Sequence, residues 1–313
     1  MFKNSVFKGV FFVALGATSY GVLATFVKMA YNEGYTTAEV SSSQFLIGII
    51  GLLLINFIQN KRTKNPPLKA SIQNIKHLMI AGTSMGFTSI FYYLSVKFIP
   101  VSICIVLLMQ TVWMGVLLEM ILTKKRPSLQ KTISAFIVLL GTVLATNLVN
   151  QQIQLDYRGI IFGLLAAASF TATMFTANSI ATSISTSQRT LYMLLGGSII
   201  VLLFTAFTQT TPYDYTIFIK WGIIVAVFGT IIPPIFMNSG FPLTGIGLGS
   251  IVSALELPVS VLMAYFILDE KVNFSQWLGI LLILFAILLM NLKKPNHFSS
   301  QKEIEKPTSK DVI

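Results

Sequence analysis

One glutamate stands where a carboxylate is hard to keep. Glu256 lies at the centre of Leu243–Glu270, an apolar run long enough to cross a bilayer, and Pro258 follows two residues later. A carboxyl there can hold a proton, a cation or a hydrogen-bond donor. Proline lacks an N–H and leaves a carbonyl one turn earlier without its helical donor. A charge at a helix centre costs about 2.5–3.5 kcal/mol on insertion scales. Glu256 must therefore face a cavity, face a hydrogen-bonding partner or be protonated. Two readings stay open: a group that touches a solute or a coupling proton, and a structural carboxyl that ties its broken helix to a neighbour.

Other polar residues inside apolar runs are candidates to line the same space. Gln110 and Trp113 are one helical turn apart and share a face; for Trp113, packing against lipid or core competes with lining. Ser19, Tyr20 and Ser169 fall near the middle of their runs, where serine also serves close helix packing. Tyr92 and Tyr93 compete with a role in an interfacial aromatic belt. Asn238 follows Pro233-Pro234, and Ser253 precedes Glu256 by one turn. Pro233, Pro234 and Pro258 are candidate kinks or gating hinges. Other chemistry is poorly provided for. Cys104 has no partner for a disulfide, and His77 and His297 have no second ligand at metal spacing. Gly245-x-Gly247-x-Gly249 lacks the strand–helix context of a dinucleotide loop and reads as small residues for helix packing. There is no P-loop. The expectation is no catalytic residue, no metal and no cofactor.

The elements that position these residues are membrane helices. The 313 residues are 54% hydrophobic and 11% charged, with a mean hydropathy of +0.76, against about 25% charged in soluble domains. The net charge of +11 lies in short loops and the tail, which speaks for membrane orientation and against nucleic acid. The first apolar run, Gly9 to Ala30, exceeds a signal h-region and reads as a retained helix. Ten helices are expected, at 8–30, 39–59, 77–97, 100–122, 130–149, 157–180, 187–208, 216–238, 244–267 and 274–292. Asn60–Lys76, with Pro66-Pro67, is the longest internal connection, and the polar tail after Asn291 reads as disordered. Lys and Arg gather on one side, including Lys61, Arg62, Lys124, Lys125, Arg126, Lys131 and Arg189. Only Lys28, Lys97, Arg158, Lys220 and Lys271 fall on the other. Both termini are therefore expected in the cytoplasm.

The two halves repeat. GVFFVALGATSYGVLATF from Gly9 aligns with GIIFGLLAAASFTATMFT from Gly159, setting Ser19-Tyr20 opposite Ser169-Phe170. Gln110 aligns with Glu256, Lys125 with Lys271, Gln130 with Gln276, and Gly86 with Gly229. Five helices per half, an odd number, force the second half to insert upside down. Inverted repeats of this kind mark transporters whose site lies near the midplane between the halves.

With these residues in view the sequence resembles the EamA branch of the drug/metabolite transporter superfamily. The resemblance rests on Ser253-Ala-Leu-Glu256-Leu-Pro258, on Ala264-Tyr-Phe-Ile-Leu-Asp-Glu270 and on Gln276-Trp-Leu-Gly279. More loosely it includes Pro100, Leu107-Leu108, Lys125-Arg126-Pro127-Ser128 and Gln130. The first half departs from the pattern by carrying Gln110 without a following proline. The resemblance implies an all-α integral membrane protein of ten transmembrane helices in two inverted five-helix repeats, 1–150 and 151–292, with 293–313 as a cytoplasmic tail. It implies secondary transport of a small organic solute across the cell membrane by alternating access, in the efflux direction. Because no Lys or Arg lies at the midplane, the solute expected is neutral, zwitterionic or cationic, an amino acid or related metabolite, with protons as a coupling ion. The same fold could flip a lipid or lipid carrier, and a membrane-embedded lipid enzyme would want clustered acids or histidines. The expected partners are the small-molecule substrate and the lipid bilayer, with the chain a monomer or weak homodimer.

Overall fold

The computed structural model of the chain describes residues 2–62, 70–99, 101–146, 156–269 and 271–292. The Pro66-Pro67 connection, Pro100, Glu270, the last residues of the expected fifth helix and the tail with its expected disorder lie outside the described residues. Every described element is helical. The first half holds Phe2–Asn32, Thr37–Arg62, Ile72–Phe98, the pair Val101–Leu108 and Thr111–Thr123, and Leu129–Ala145. The second holds Tyr157–Ser179, Thr186–Thr208, Phe218–Thr244, the pair Ile246–Ser253 and Glu256–Ile267, and Phe274–Leu292. Counting each pair as one, these are the first to tenth helices in chain order. Among the described residues, seven helices are long and apolar enough to cross a membrane, and Leu129–Ala145 and Phe274–Met290 are shorter apolar ones.

Local sequence starts several of these helices, the third of them at Ile72, five residues ahead of the expected start. Ser71, Ser128, Asp156 and Ser185 each accept an N–H from the first turn that follows, satisfying donors that have no helical partner. Asp156 also binds Arg158 at 2.7 Å, and those hydrogen bonds hold its carboxyl below the usual carboxylate range. Asn273 and Gln276 cap one another's backbone N–H groups at the start of the tenth helix. Large apolar side chains such as Phe11, Ile50, Leu53, Phe57 and Leu281 cover the outer faces. In water they would be a liability, and in hydrocarbon they are the proper surface.

Packing runs mainly between halves, and the contacts come in matched sets. The first helix lies on the eighth as the sixth lies on the third; the second crosses the seventh, the fourth the ninth, and the fifth the tenth. This is the pattern a two-fold relation between the repeats produces. Gln130 donates through Nε2 to the Leu289 carbonyl, and its repeat partner Gln276 donates to the Ala145 carbonyl at 3.3 Å. Two aligned glutamines thus tie the fifth and tenth helices reciprocally. At the third–seventh crossing a Cβ on Gly82 would stand 1.9 Å from the Met193 carbonyl oxygen. One on Gly196 would stand 1.8 Å from that of Met79. Small residues let two backbones meet where apolar burial gives no drive for helices to associate in lipid.

The Gly245-x-Gly247-x-Gly249 stretch has a packing explanation. Gly245 takes φ +76° where the eighth helix ends, a conformation that favours glycine. A Cβ on Gly247 would fall 2.0 Å from a carboxylate oxygen of Glu119, which is paired with Lys131 at 2.7 Å.

Candidate functional site

Two helices are broken at matching places in the two repeats, and both breaks lie where a polar residue interrupts an apolar run. In the ninth helix the ladder tightens over Ala254 and Leu255: Leu257 N–H donates to the Ala254 carbonyl at 3.2 Å. The Pro258 nitrogen would have been that carbonyl's donor in a continuous helix. Pro258 then sits in the first turn of Glu256–Ile267, where a missing N–H leaves no bond unmade. In the fourth helix there is no proline. Gln110 N–H bonds Leu107 O at 3.1 Å, and the Val106 carbonyl it would otherwise meet accepts from the Gln110 side-chain Nε2 at 3.0 Å. Gln110 Oε1 in turn accepts the Trp113 indole N–H at 2.8 Å.

The repeat partners therefore do opposite things. Gln110 has both side-chain polar atoms engaged on its own helix. Glu256, the first residue of its half-helix, has no side-chain hydrogen bond to any described residue, and no charged side chain acts on it electrostatically. It lies deep among the helices yet keeps part of its surface uncovered. The hydroxyls of Tyr20, on the first helix, and Tyr92, on the third, are its electrostatic neighbours. The first helix reaches it closely: a Cβ on Gly21 would stand 2.5 Å from the Glu256 carbonyl oxygen. The N-terminus of a 12-residue helix stabilises the negative charge through its dipole. What stands at this point is one carboxylate that accepts no side-chain hydrogen bond from a described residue.

Tyr20 meets Phe170, its aligned partner on the sixth helix, edge to face at 6.4 Å between ring centroids. On the N-terminal side of Tyr20 along the first helix the space closes. Tyr20, Met85, Phe170, Thr173, Met193 and Asn238 are among the residues around a void of about 20 Å³, room for a single water. Unbranched thioether side chains make such a seal deformable. Tyr92 packs edge to face on Tyr93 at 6.0 Å. Tyr93 faces Ser41 and Tyr31, so the pair points into the bundle.

Most of the other candidates make hydrogen bonds within the protein. Ser19 donates to the Phe228 carbonyl at 3.0 Å, and Ser253 to the Ser250 carbonyl at 2.8 Å. Asn238 gives Nδ2 to Thr190 Oγ1 at 2.9 Å. Ser169 is half-buried and lends its carbonyl to Thr173. Trp113 is 39% exposed, in line with exposed Leu117 and Ile121 on the outer face of its half-helix. Pro233 and Pro234 open the Ile232–Thr244 segment directly after a π-helical turn, Val227–Ile231. Two missing N–H groups stop the ordinary ladder there, and the wider turn absorbs the gap. Thr230 also donates to the carbonyls of Gln44 and Ala226 at 3.0 and 3.1 Å.

Sequence reasoning missed two buried charges. Arg189 counts among the cations of the cytoplasmic side, yet it is 2% exposed. Its guanidinium donates to Ile180 O at 3.0 Å, to Asn238 O at 2.9 Å and to Ala177 O, joining the end of the sixth helix to the eighth. Helix-end carbonyls are a natural seat for a cation, but no local pattern announces an arginine whose acceptors lie on other helices. Glu39, also 2% exposed, caps the second helix with Thr36. It accepts from Gln209 Nε2 at 3.1 Å and the Asp214 N–H at 2.8 Å. The Thr36-x-x-Glu39 spacing is a capping box and was readable.

The division between Gln110 and Glu256 is testable. Gln110→Ala removes a cap from a half-helix carbonyl and a partner from Trp113, so it should lower stability by about 1–3 kcal/mol. Solute KM should stay within about twofold, because these bonds are internal to the fourth helix. A KM shift of tenfold at unchanged melting temperature would place Gln110 in contact with solute.

The sequence matches the profile of the EamA-like transporter family twice, over residues 7–147 and 157–292. One solved structure, described only as a crystal structure of a protein, superposes with a TM-score of 0.74 at 13% identity. The match covers 92% of this chain and 98% of that one, a likeness of fold. No curated protein matches.

Proposed function

This chain belongs to the EamA-like transporter family, and we propose that it moves a small organic solute across the cell membrane by alternating access, as a secondary transporter without cofactor. The observation that carries this reading is the unpartnered Glu256 carboxylate, set at a helix break between two repeats that pack in matched pairs. Half-helix termini at the junction of inverted repeats are where such carriers bind cargo. Glu256, Tyr20 and Tyr92 are the contacts we assign to the solute, with Ser169 beside them. Gln110, Trp113, Ser19, Asn238 and Ser253 position these. The solute class is an amino acid or related metabolite, and export is the direction that the resemblance to the family supports. Proton coupling fits a carboxylate that no other side chain occupies. Pro258 and the Pro233-Pro234 segment are the hinges we propose, since their ladders are already interrupted.

The topology we propose has ten spans, repeats at 1–150 and 151–292, and both termini in the cytoplasm with the 293–313 tail. The support is the bias of Lys and Arg to one side. A fluorescent-protein fusion at residue 313 should glow and an alkaline-phosphatase fusion there should be inactive; the reverse would invert the topology. For function, purified protein in liposomes with an acidic interior should accumulate radiolabelled amino acid in exchange for protons leaving down their gradient, while fluorescent phospholipid stays in its leaflet. Lipid scrambling without solute uptake would favour a flippase.

A further inference from the structure

We propose that the outward face of the second helix binds an anionic phospholipid, with an acyl chain along Ile50–Asn60 and the phosphate held by Lys61 and Arg62. This site is independent of the solute and of the direction in which it moves.

The first observation is a groove of one leaflet's length. Ile50, Leu53, Leu54, Phe57 and Asn60 line a shallow depression, and the four apolar members are exposed on the helix surface. They recur at spacings of three and four, as one helical face requires. Asn56 forms the floor, buried and with its amide engaged at both ends. Its nitrogen donates to the carbonyls of Leu52 at 2.8 Å and Ser187 at 3.1 Å, and its oxygen accepts from Ser187 Oγ at 2.9 Å. Such a floor needs no water and suits hydrocarbon. The rise from Ile50 to Asn60 is about 15 Å, half of a hydrocarbon core of roughly 30 Å.

The second observation is charge at one end of that groove. Lys61 and Arg62 close the second helix. Lys61 turns back, and its ammonium lies over the Phe57 ring at 4.5 Å from the centroid. A cation is thereby set on the rim of the groove, at the depth of a lipid phosphate. Membrane orientation accounts for two cations at a helix end, but not for one drawn back over an apolar groove.

The third observation is the repeat. Asn56 donates to the Ser187 carbonyl, and Thr205 Oγ1 donates to the Ala38 carbonyl at 3.5 Å. Asn56 is thus equivalent to Thr205 and Ala38 to Ser187, and the second and seventh helices run antiparallel. In that register Ile50, Leu53 and Leu54 match Ile199, Leu202 and Leu203, which are also exposed. Both repeats turn the same apolar stripe to lipid at opposite ends of the bundle. Phe57, Lys61 and Arg62, however, match Ala206, Thr210 and Thr211, and the next charge is Asp214. The fold does not need the ring and the cations, since one repeat does without them. An anionic headgroup is what they complement.

The test titrates the full-length protein in detergent with phosphatidylglycerol or phosphatidylcholine of the same acyl chains and counts bound lipid by native mass spectrometry. The first phosphatidylglycerol should bind about tenfold or more tighter than phosphatidylcholine, as two cations at the headgroup allow. Lys61→Gln/Arg62→Gln should bring the two lipids within about threefold. Lys124→Gln/Arg126→Gln, which removes as much charge outside the groove, should keep the preference. Thr210→Lys/Thr211→Arg should add a second preferred phosphatidylglycerol on the equivalent stripe, a gain that decides the matter should the loss variant fail to fold. Equal binding of both lipids by the parent would overturn the proposal. So would a preference that survives in Lys61→Gln/Arg62→Gln, or the absence of a second lipid in Thr210→Lys/Thr211→Arg. A second copy of the chain is the rival cover for this face. Cys104 is buried, so oxidation of Leu54→Cys reports on that face alone. A disulfide-linked dimer that takes no preferred lipid would overturn the proposal as well.

Discussion

Glu256→Gln is expected to give a protein that folds and inserts as well as the parent, or better, and no longer moves its solute. The replacement keeps the shape of the side chain. No hydrogen bond from a described residue is lost, because the carboxylate accepts none. What is lost is a charge whose insertion at a helix centre costs about 2.5–3.5 kcal/mol. Stability should therefore hold or rise. Transport should fall by about a hundredfold or more, since truncating one partner of a buried charge pair costs roughly 2–5 kcal/mol, and any dependence of flux on pH should vanish. A carboxyl that ties its helix to a neighbour predicts the opposite on both counts: a lower melting temperature and residual, still pH-dependent flux. Thermal melts and uptake on one preparation decide between the two readings that the sequence leaves open.

Gly196→Leu should have the largest effect on the fold itself. Its first side-chain carbon would overlap the Met79 carbonyl at 1.8 Å, and Gly82 makes the reciprocal approach to Met193. Backbone cannot turn aside as a side chain can, so the third and seventh helices must separate along their crossing. Separation strips contact from Leu78, Met85 and Met193, which pack as one cluster. Overpacking in cores costs about 1–3 kcal/mol where side chains can yield, and more is expected here. Little protein should survive detergent extraction as a single monodisperse species. Gly196→Ala, with the same first carbon, should lower the melting temperature clearly. An unchanged melt for Gly196→Ala would show that the crossing is looser than described.

Much of this architecture could be read from residue order, because apolar runs and their breaks are local. The alignment of Gln130 with Gln276 anticipated a pair of equivalent positions, and the structure gives them equivalent hydrogen bonds. Pro258 marked the ninth-helix break through the N–H it lacks. The break at Gln110 could not be read that way. It depends on a side chain turning back onto the carbonyl of Val106, a choice of rotamer that no residue pattern encodes. The same holds for Arg189, whose acceptors come from the sixth helix and from Asn238. Charge counting placed it on the cytoplasmic side without showing its burial, because it counts residue types and not their partners. Trp113 shares a helical face with Gln110 as its spacing requires, but spacing does not say which face meets lipid.

Counterflow measures the central claim most directly. Liposomes holding the protein and loaded with unlabelled phenylalanine are diluted into a trace of the labelled amino acid, with no ion gradient imposed. A carrier that alternates around one site predicts a transient overshoot of internal label above equilibrium, present in the parent and absent in Glu256→Gln. Label that only relaxes to equilibrium in the parent, or an overshoot that survives in Glu256→Gln, would contradict the account.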